Sequence, residues 1–266
     1  MVPLDLIISI IVLFIAGWGA GVVTGLVGAS AVTVVTPLLV TLLGYDPFTA
    51  IGVSLSTDVV TSTISSRIYF KKGNIDIRAG VQLAIFSVIG ALIGSHLSSL
   101  VEGSHLGSVV AIVTIIMGIF FIRKPLSSRE IGSDHTTTEK KPFMSTLIKS
   151  AFFGLIIGVV CGFVGAGGGV LILLILMFAL GYSIHVAVGT SVFIMIFTAL
   201  SGAVGHALYV NMSYISILCC CIGGIIGARS ASTFANYASA DKLGRVAGVA
   251  FLILGAYMIL SQFMLA

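Results

Sequence analysis

The stretch GLVGAS at residues 25–30 recurs later in the chain as GFVGAG at residues 162–167. The same constant offset relates three further pairs of stretches: Gly44-Tyr45 with Gly181-Tyr182, 52–54 with 189–191, and 106–107 with 243–244. The chain is therefore an internal duplication over nearly its whole length. Two related halves in a strongly apolar chain point to a transporter, because secondary transporters are commonly built in this way.

The composition predicts an all-α polytopic membrane protein. Hydrophobic residues make up 58% of the chain and charged residues only 8%, whereas soluble domains carry about 25% charged residues. The apolar runs are long and continuous rather than alternating, which disfavours a transmembrane β-barrel. The net charge of +4 belongs to loops beside the membrane, so we expect the lipid bilayer of the cell membrane, and no nucleic acid, as a partner.

Breaking the chain at Gly, Pro and charged clusters gives five apolar segments in each half. The segments are 4–28, 31–43, 47–69, 77–100 and 106–122, then 146–165, 170–180, 184–209, 214–237 and 243–265. The second segment of each half is shorter than the ~20 residues of a straight crossing, which predicts short or broken helices at the repeat centre. The domains expected are a first repeat (1–122), a polar cytoplasmic linker (123–145) and a second repeat (146–266).

The basic residues indicate that the two halves are inverted. Cytoplasmic loops collect Lys and Arg. The loop after the third segment holds four basic residues in the first half and none in the second, while the loop after the fourth segment shows the reverse bias. An odd number of crossings in each repeat explains this reversal, and five segments satisfy it. A re-entrant second segment would leave four crossings and parallel halves, which the charge pattern disfavours.

The glycine-rich stretch GAGGG at residues 165–169 is the strongest local signal for a binding site. Its glycines, Gly165, Gly167, Gly168 and Gly169, disfavour a continuous helix, since each costs about 1 kcal/mol relative to Ala. A helix that starts after such a break presents free N–H groups and partial positive charge, which suits a small anion. Close helix packing through small residues is the alternative reading. The matching positions in the first half are Gly28, Ala29 and Ser30.

Hydroxyl groups near these breaks are further candidates for substrate binding. They are Ser54 in the third segment of the first half and Thr190 and Ser191 at the matching place in the second. Hydroxyls in this position replace part of the hydration shell of an oxyanion. Their alternative role is hydrogen bonding between helices, worth roughly 0.6 kcal/mol each.

Asp58 is the deepest acidic residue of the predicted segments. A carboxylate inside a membrane is a functional candidate, as a proton carrier or as a partner for a cation. The partners expected from the sequence are Arg229, His206 and His96, with a structural ion pair or an aqueous position as alternatives to a coupling role. Arg229 and His96 also fall at nearly matching sites of the two halves, where both would attract anions. The alternative for Arg229 is a position near the cytoplasmic end, with its side chain reaching lipid phosphates.

These stretches resemble the TauE/SafE family of sulfite and organosulfonate exporters. The features that carry the resemblance are the two glycine-rich breaks, PLL at 37–39, LGYDP at 43–47, AIGVS at 50–54, AVGTS at 187–191, YFKKGNID at 69–76 and IGAR at 226–229. The resemblance covers both halves. It implies a multi-pass carrier of small sulfur-containing anions such as sulfite, sulfoacetate or thiosulfate, coupled to an ion gradient.

The leading hypothesis is an alternating-access exporter of such anions whose site lies between the two breaks, with Asp58 or a histidine titrating during the cycle. The alternative is a cation or metal-ion carrier that uses Asp58 and carbonyl groups of the broken helices. An enzyme is disfavoured because neither HExxH nor GxSxG occurs in the chain. No cofactor and no metal site are expected.

Overall fold

The computed structural model describes residues 4–98, 143–164 and 168–265, together with 115–116, 119 and 122–123. Within these ranges the chain is helical, and no strand occurs in them. The helices are α1 (Leu4–Val27), α2 (Val32–Leu43), α3 (Pro47–Lys71), α4 (Ile77–Ser98), α5 (Phe143–Val164), α6 (Gly168–Leu174), α7 (Ile184–Ala207), α8 (Tyr214–Tyr237) and α9 (Ala240–Leu265). A π-helical turn, Ile175–Ala179, continues α6.

The predicted segments within these ranges agree with the helices to within a few residues at each end. The fifth segment of the first half (106–122) and the linker (123–145) lie outside the described residues, apart from 115–116, 119, 122–123 and 143–145. Among the described helices, four are long and apolar enough to cross a bilayer: Leu6–Val27, Ile77–Gly94, Ile184–Ala207 and Tyr214–Tyr237.

The burial pattern is that of a protein surrounded by lipid. Large apolar side chains of α1 are exposed, including Ile11 at 52% and Ile15 at 56%. The polar stripe of α3, in contrast, is buried: Ser54, Thr57, Asp58, Thr61, Ser62 and Ser65. Because hydrocarbon cannot hydrogen-bond these groups, the stripe turns inward, where other helices supply partners.

The two short helices end in the same way. At the end of α2, Gly44 has φ of 66° and its N–H bonds Leu39 O. At the matching place after the π-helical turn, Gly181 has φ of 75°. Only glycine adopts this left-handed conformation without steric cost, so these two positions stop the short helices and turn the chain into α3 and α7.

The two halves pack against each other through helix faces that carry glycine, and the arrangement is the same for each half. The first helix of each half packs most extensively against the fourth helix of the other half, giving the pairs α1–α8 and α4–α5. At Gly21 a Cβ would lie 2.6 Å from Ala228 N, and at Gly158 it would lie 2.8 Å from Gly90 Cα. The backbones therefore approach so closely that no side chain fits between them, as in small-residue packing of membrane helices.

Helices α1, α3 and α8 run in the same direction, because later residues of one helix contact later residues of the others. The contacts that set this order are Gly17 with Cys220, Gly25 with Ser232, Thr61 with Gly224, and Lys72 with Tyr237. Helices α4, α5 and α7 likewise run together, and α7 is antiparallel to α3. These contacts are Gly90 with Gly158, Gly94 with Phe163, Gly80 with Phe193, Ser87 with Thr198, Leu55 with Gly202, and Asn74 with Gly189.

The Gly158→Ala variant tests the glycine contact between α4 and α5. A methyl group there meets the Ser87 and Gly90 backbone, and overpacking of this kind costs about 1–3 kcal/mol. We expect thermal unfolding in detergent to show a lower melting temperature for Gly158→Ala. The control is Gly19→Ala, whose Cβ would lie at an ordinary 3.4 Å from Val34. Equal melting temperatures for the two variants would contradict the packing described.

Candidate functional site

The first helix break meets the start of α6 in the interior of the protein. Gly28 ends α1 with φ of 66°, and residues 28–31 are buried. Gly169, in the first turn of α6, lies directly against this turn: a Cβ on it would be 2.5 Å from Gly28 O and 2.7 Å from Ser30 N. Of the glycines predicted in the second break, Gly168 and Gly169 are buried. Gly165 and Gly167 lie outside the described residues.

Ser191 joins this contact, whereas Thr190 points elsewhere. The Ser191 Oγ is so close to Gly28 that a Cβ there would overlap it, and this hydroxyl donates to Val188 O at 2.8 Å. The Thr190 hydroxyl accepts a 3.0 Å hydrogen bond from the backbone N–H of Asp76, just before α4. Thr190 therefore holds the start of α4 and is not brought to the meeting point of the breaks.

Ser54 lies between α2 and α3. Its hydroxyl donates to Ala50 O at 2.6 Å and lies 2.8 Å from Thr36 Oγ1 of α2. The side chain is completely buried. In this structure it makes the helix–helix hydrogen bond that was the alternative to substrate binding.

The Asp58 carboxylate lies at the N-terminal end of α2. Ser30 Oγ donates to Asp58 Oδ2 at 2.6 Å, Ser62 Oγ lies 3.4 Å from Oδ1, and the Ala31 backbone also donates to the carboxylate. Asp58 is only 1% exposed. Since a helix start carries partial positive charge, this position stabilises the Asp58 carboxylate.

The structure does not bring the three predicted partners to Asp58, because each lies in a different environment. Arg229 is exposed on α8. His96 is exposed near the end of α4, with Nδ1 3.2 Å from Tyr209 Oη. His206 lies beside Gly52, about 9 Å along α3 from Asp58. The ionic partnership expected from the sequence is replaced by hydroxyl and amide donors.

His206 occupies a buried aromatic site of its own. Its ring stacks on Phe48 with centroids 4.3 Å apart, and Nδ1 lies 3.0 Å from Gly202 O. A carbonyl only accepts, so Nδ1 carries the hydrogen. Nε2 is then an acceptor, and it has no partner within the described part of the chain.

Sequence reasoning missed a pair of tyrosine contacts that link the halves. Tyr45 follows α2 and its hydroxyl lies 2.6 Å from Ser216 Oγ at the start of α8. Tyr182, at the matching place in the second half, donates to Asp76 Oδ2 at 2.6 Å, just before α4. Burial and the adjacent Asp76 raise the pKa of Tyr182 well above its ordinary value, so it remains a donor. The recurrence of Gly-Tyr was the signal that could have found them.

The interior contains no Lys or Arg side chain among the residues whose side chains are described. Arg67, Lys71, Lys72 and Arg78 are exposed and cluster at one end of the bundle. A small anion at the helix breaks would therefore be held by backbone N–H groups and hydroxyls rather than by ion pairs. No group of three or more His, Cys, Asp or Glu that would suit a metal ion occurs in the described ranges.

The Ser30→Ala variant tests the link between the first break and Asp58. It removes the closest donor of a buried carboxylate, which costs about 1–3 kcal/mol of unfolding free energy. We expect Ser30→Ala to unfold at lower denaturant concentration than the wild type. Thr41→Val is the control, because the Thr41 hydroxyl bonds only the carbonyl of Pro37 in its own helix. The link would be refuted if Ser30→Ala were as stable as Thr41→Val.

The chain matches one family model and several known proteins along most of its length. The model described as sulfite exporter TauE/SafE matches residues 13–258. The Bacillus subtilis probable membrane transporter protein YdhB is 26% identical over 216 residues, covering 81% of this chain and 86% of YdhB. YunE of the same organism, named in the same way, is 26% identical over 266 residues, 94% of this chain and 97% of YunE.

A probable membrane transporter protein of Xylella fastidiosa is similar over the same extent. It is 27% identical over 254 residues, which cover 94% of this chain and 95% of that protein. No solved structure matches the chain. The family match extends through both halves of the chain.

Proposed function

Because this chain belongs to the sulfite exporter TauE/SafE family of multi-pass membrane transporters, we propose that it exports small sulfur-containing anions such as sulfite, sulfoacetate or thiosulfate. The observation that carries this proposal is the contact between the first helix break and the start of α6. Gly169 lies against the backbone of residues 28–30, and the Ser191 hydroxyl lies beside Gly28. Converging amide groups and hydroxyls, with no buried Lys or Arg among the described side chains, suit an anion that must be released again.

The proposed architecture consists of two inverted repeats. The helix directions support it: in the first half α1 and α3 run opposite to α4, and in the second half α5 and α7 run opposite to α8. Each of these six helices is therefore antiparallel to its counterpart in the other half: α1 to α5, α3 to α7 and α4 to α8. The reversed charge bias of equivalent loops supports the same arrangement.

Alternating access would use the reciprocal tyrosine contacts. The Tyr45–Ser216 and Tyr182–Asp76 hydrogen bonds lie at opposite ends of α3, which is about 37 Å long. Each contact ties the end of one short helix to the fourth helix of the other half. Breaking one contact while the other holds would open a path to the helix breaks from one side of the membrane at a time.

Asp58 is the residue proposed to couple transport to an ion gradient. Its carboxylate shares Ser30 with the first helix break, so a change in its charge acts directly on that break. Arg229 and His96 are exposed and lie away from Asp58, so they do not take part in this proposal. His206 would act separately, beside Gly52 near the start of α3. The alternative function, a cation carrier, is favoured by one observation: Asp58 is surrounded by the oxygen atoms of Ser30 and Ser62.

The proposed function is tested by uptake of ³⁵S-labelled sulfite, thiosulfate and sulfate into proteoliposomes. Unlabelled sulfoacetate and taurine are added as competitors. We expect sulfite or thiosulfate uptake by the wild type and at least about a tenfold loss in Gly169→Ala. The Cβ added at residue 169 would push the start of α6 away from residues 28–30, and overpacking of this kind costs about 1–3 kcal/mol.

Gly19→Ala is the control variant and is expected to transport normally. The anion proposal would be wrong if no sulfur anion were transported or shifted the melting temperature while a divalent metal ion did both. Abolition of that cation transport in Asp58→Asn would then establish the alternative.

A further inference from the structure

Three buried hydroxyl groups between α1, α3 and α8 are not used by the proposed substrate site. They belong to Thr24, Ser65 and Ser232, and each side chain is 0% exposed. None of the three oxygen atoms has a hydrogen-bond partner in the described part of the chain. Buried polar groups are almost always satisfied, so three such groups in neighbouring helices indicate a bound ligand.

The contacts of α1 with α8, and of α8 with α3, place these three residues within about one helical turn of the same level. A Cβ on Gly25, the residue after Thr24, would lie 2.8 Å from Ser232 Oγ. The Tyr69 hydroxyl donates to Gly25 O at 3.0 Å, and Ser65 lies one turn before Tyr69 on the same face of α3. Thr24, Ser65 and Ser232 are therefore held around the last turn of α1.

The electrostatics of this place favour a cation. Helix α1 ends at Val27, and a helix C-terminus carries partial negative charge on its last carbonyl groups. The Asp58 carboxylate lies on the same stripe of α3, seven residues before Ser65 or about 10 Å away. Divalent cations are usually bound through carboxylates, whereas these three side chains offer only neutral hydroxyls, which suit a monovalent ion.

We propose that Thr24, Ser65 and Ser232, together with carbonyl oxygens of the last turn of α1, bind a sodium ion. The ends of interrupted helices coordinate sodium in other secondary transporters through the same kinds of oxygen atom. The ion would stabilise the C-terminal end of α1 just before Gly28, where the first helix break begins. Its role as the coupling ion rests on the proposed transport function, but its binding does not.

Sodium binding is measured on the purified full-length protein without substrate, by melting temperature in NaCl, KCl and choline chloride at constant ionic strength. A ligand that binds only the folded state raises the melting temperature with its concentration. We expect NaCl to raise the melting temperature of the wild type relative to choline chloride, with little effect of KCl. The Ser65→Ala and Thr24→Val variants, which each remove one hydroxyl, should lose this response.

The control is Thr63→Val, two residues from Ser65 on α3, whose exposed hydroxyl bonds only Val59 O. It should respond to sodium as the wild type does. Binding of ²²Na⁺ to the same proteins gives a second readout, with Ser232→Ala replacing any variant that does not fold. Failure of sulfur-anion uptake alone would leave this result intact, because no substrate is present.

Equal melting temperatures of the wild type in sodium and choline would overturn the proposal, as would an unchanged sodium response in Ser65→Ala and Thr24→Val. The proposal would also be wrong if both variants melted at a higher temperature than the wild type in choline chloride and no protein responded to sodium. That result would show hydroxyls that are merely unpaired in a dry interface, whose removal stabilises the fold.

Discussion

Backbone-to-backbone contact at glycine is the constraint on which the rest of the structure depends. In lipid the hydrophobic effect gives no net drive for helices to associate, so close approach and polar contacts must hold them together. The pairs α1–α8 and α4–α5 achieve this through glycines such as Gly21 and Gly158. The same close approach occurs at the centre, where Gly169 allows the start of α6 to touch the first helix break.

Polar groups inside the bundle and at its ends are held because neighbouring helices or turns supply their hydrogen-bond partners. Asp58 of α3 satisfies the start of α2 through Ser30. Tyr182 satisfies Asp76 before α4, and Tyr45 reaches Ser216 at the start of α8. Membership in the TauE/SafE family gives these contacts a functional setting, since a transporter must hold polar groups ready without exposing them to lipid.

The sequence predicted the helices well because their ends carry local signals. Gly44, Gly181 and Pro47 stop or start helices by backbone geometry alone, and the Gly-Tyr signal occurs in both halves. The partners of Asp58 were not predictable, since periodicity gives the face of a helix but not the neighbour it meets. Ser30 contacts Asp58 because the chain turns back at Gly28. This is a tertiary contact between residues that are far apart in the sequence.

A cryo-EM structure of the protein in lipid nanodiscs measures the central contact most directly. We predict that α1 and α2 are separated by a turn at Gly28, and that the Gly169 backbone lies against residues 28–30 with Ser30 bonded to Asp58. A continuous helix through residues 28–31, or a layer of side chains or lipid between Gly169 and that turn, would contradict it.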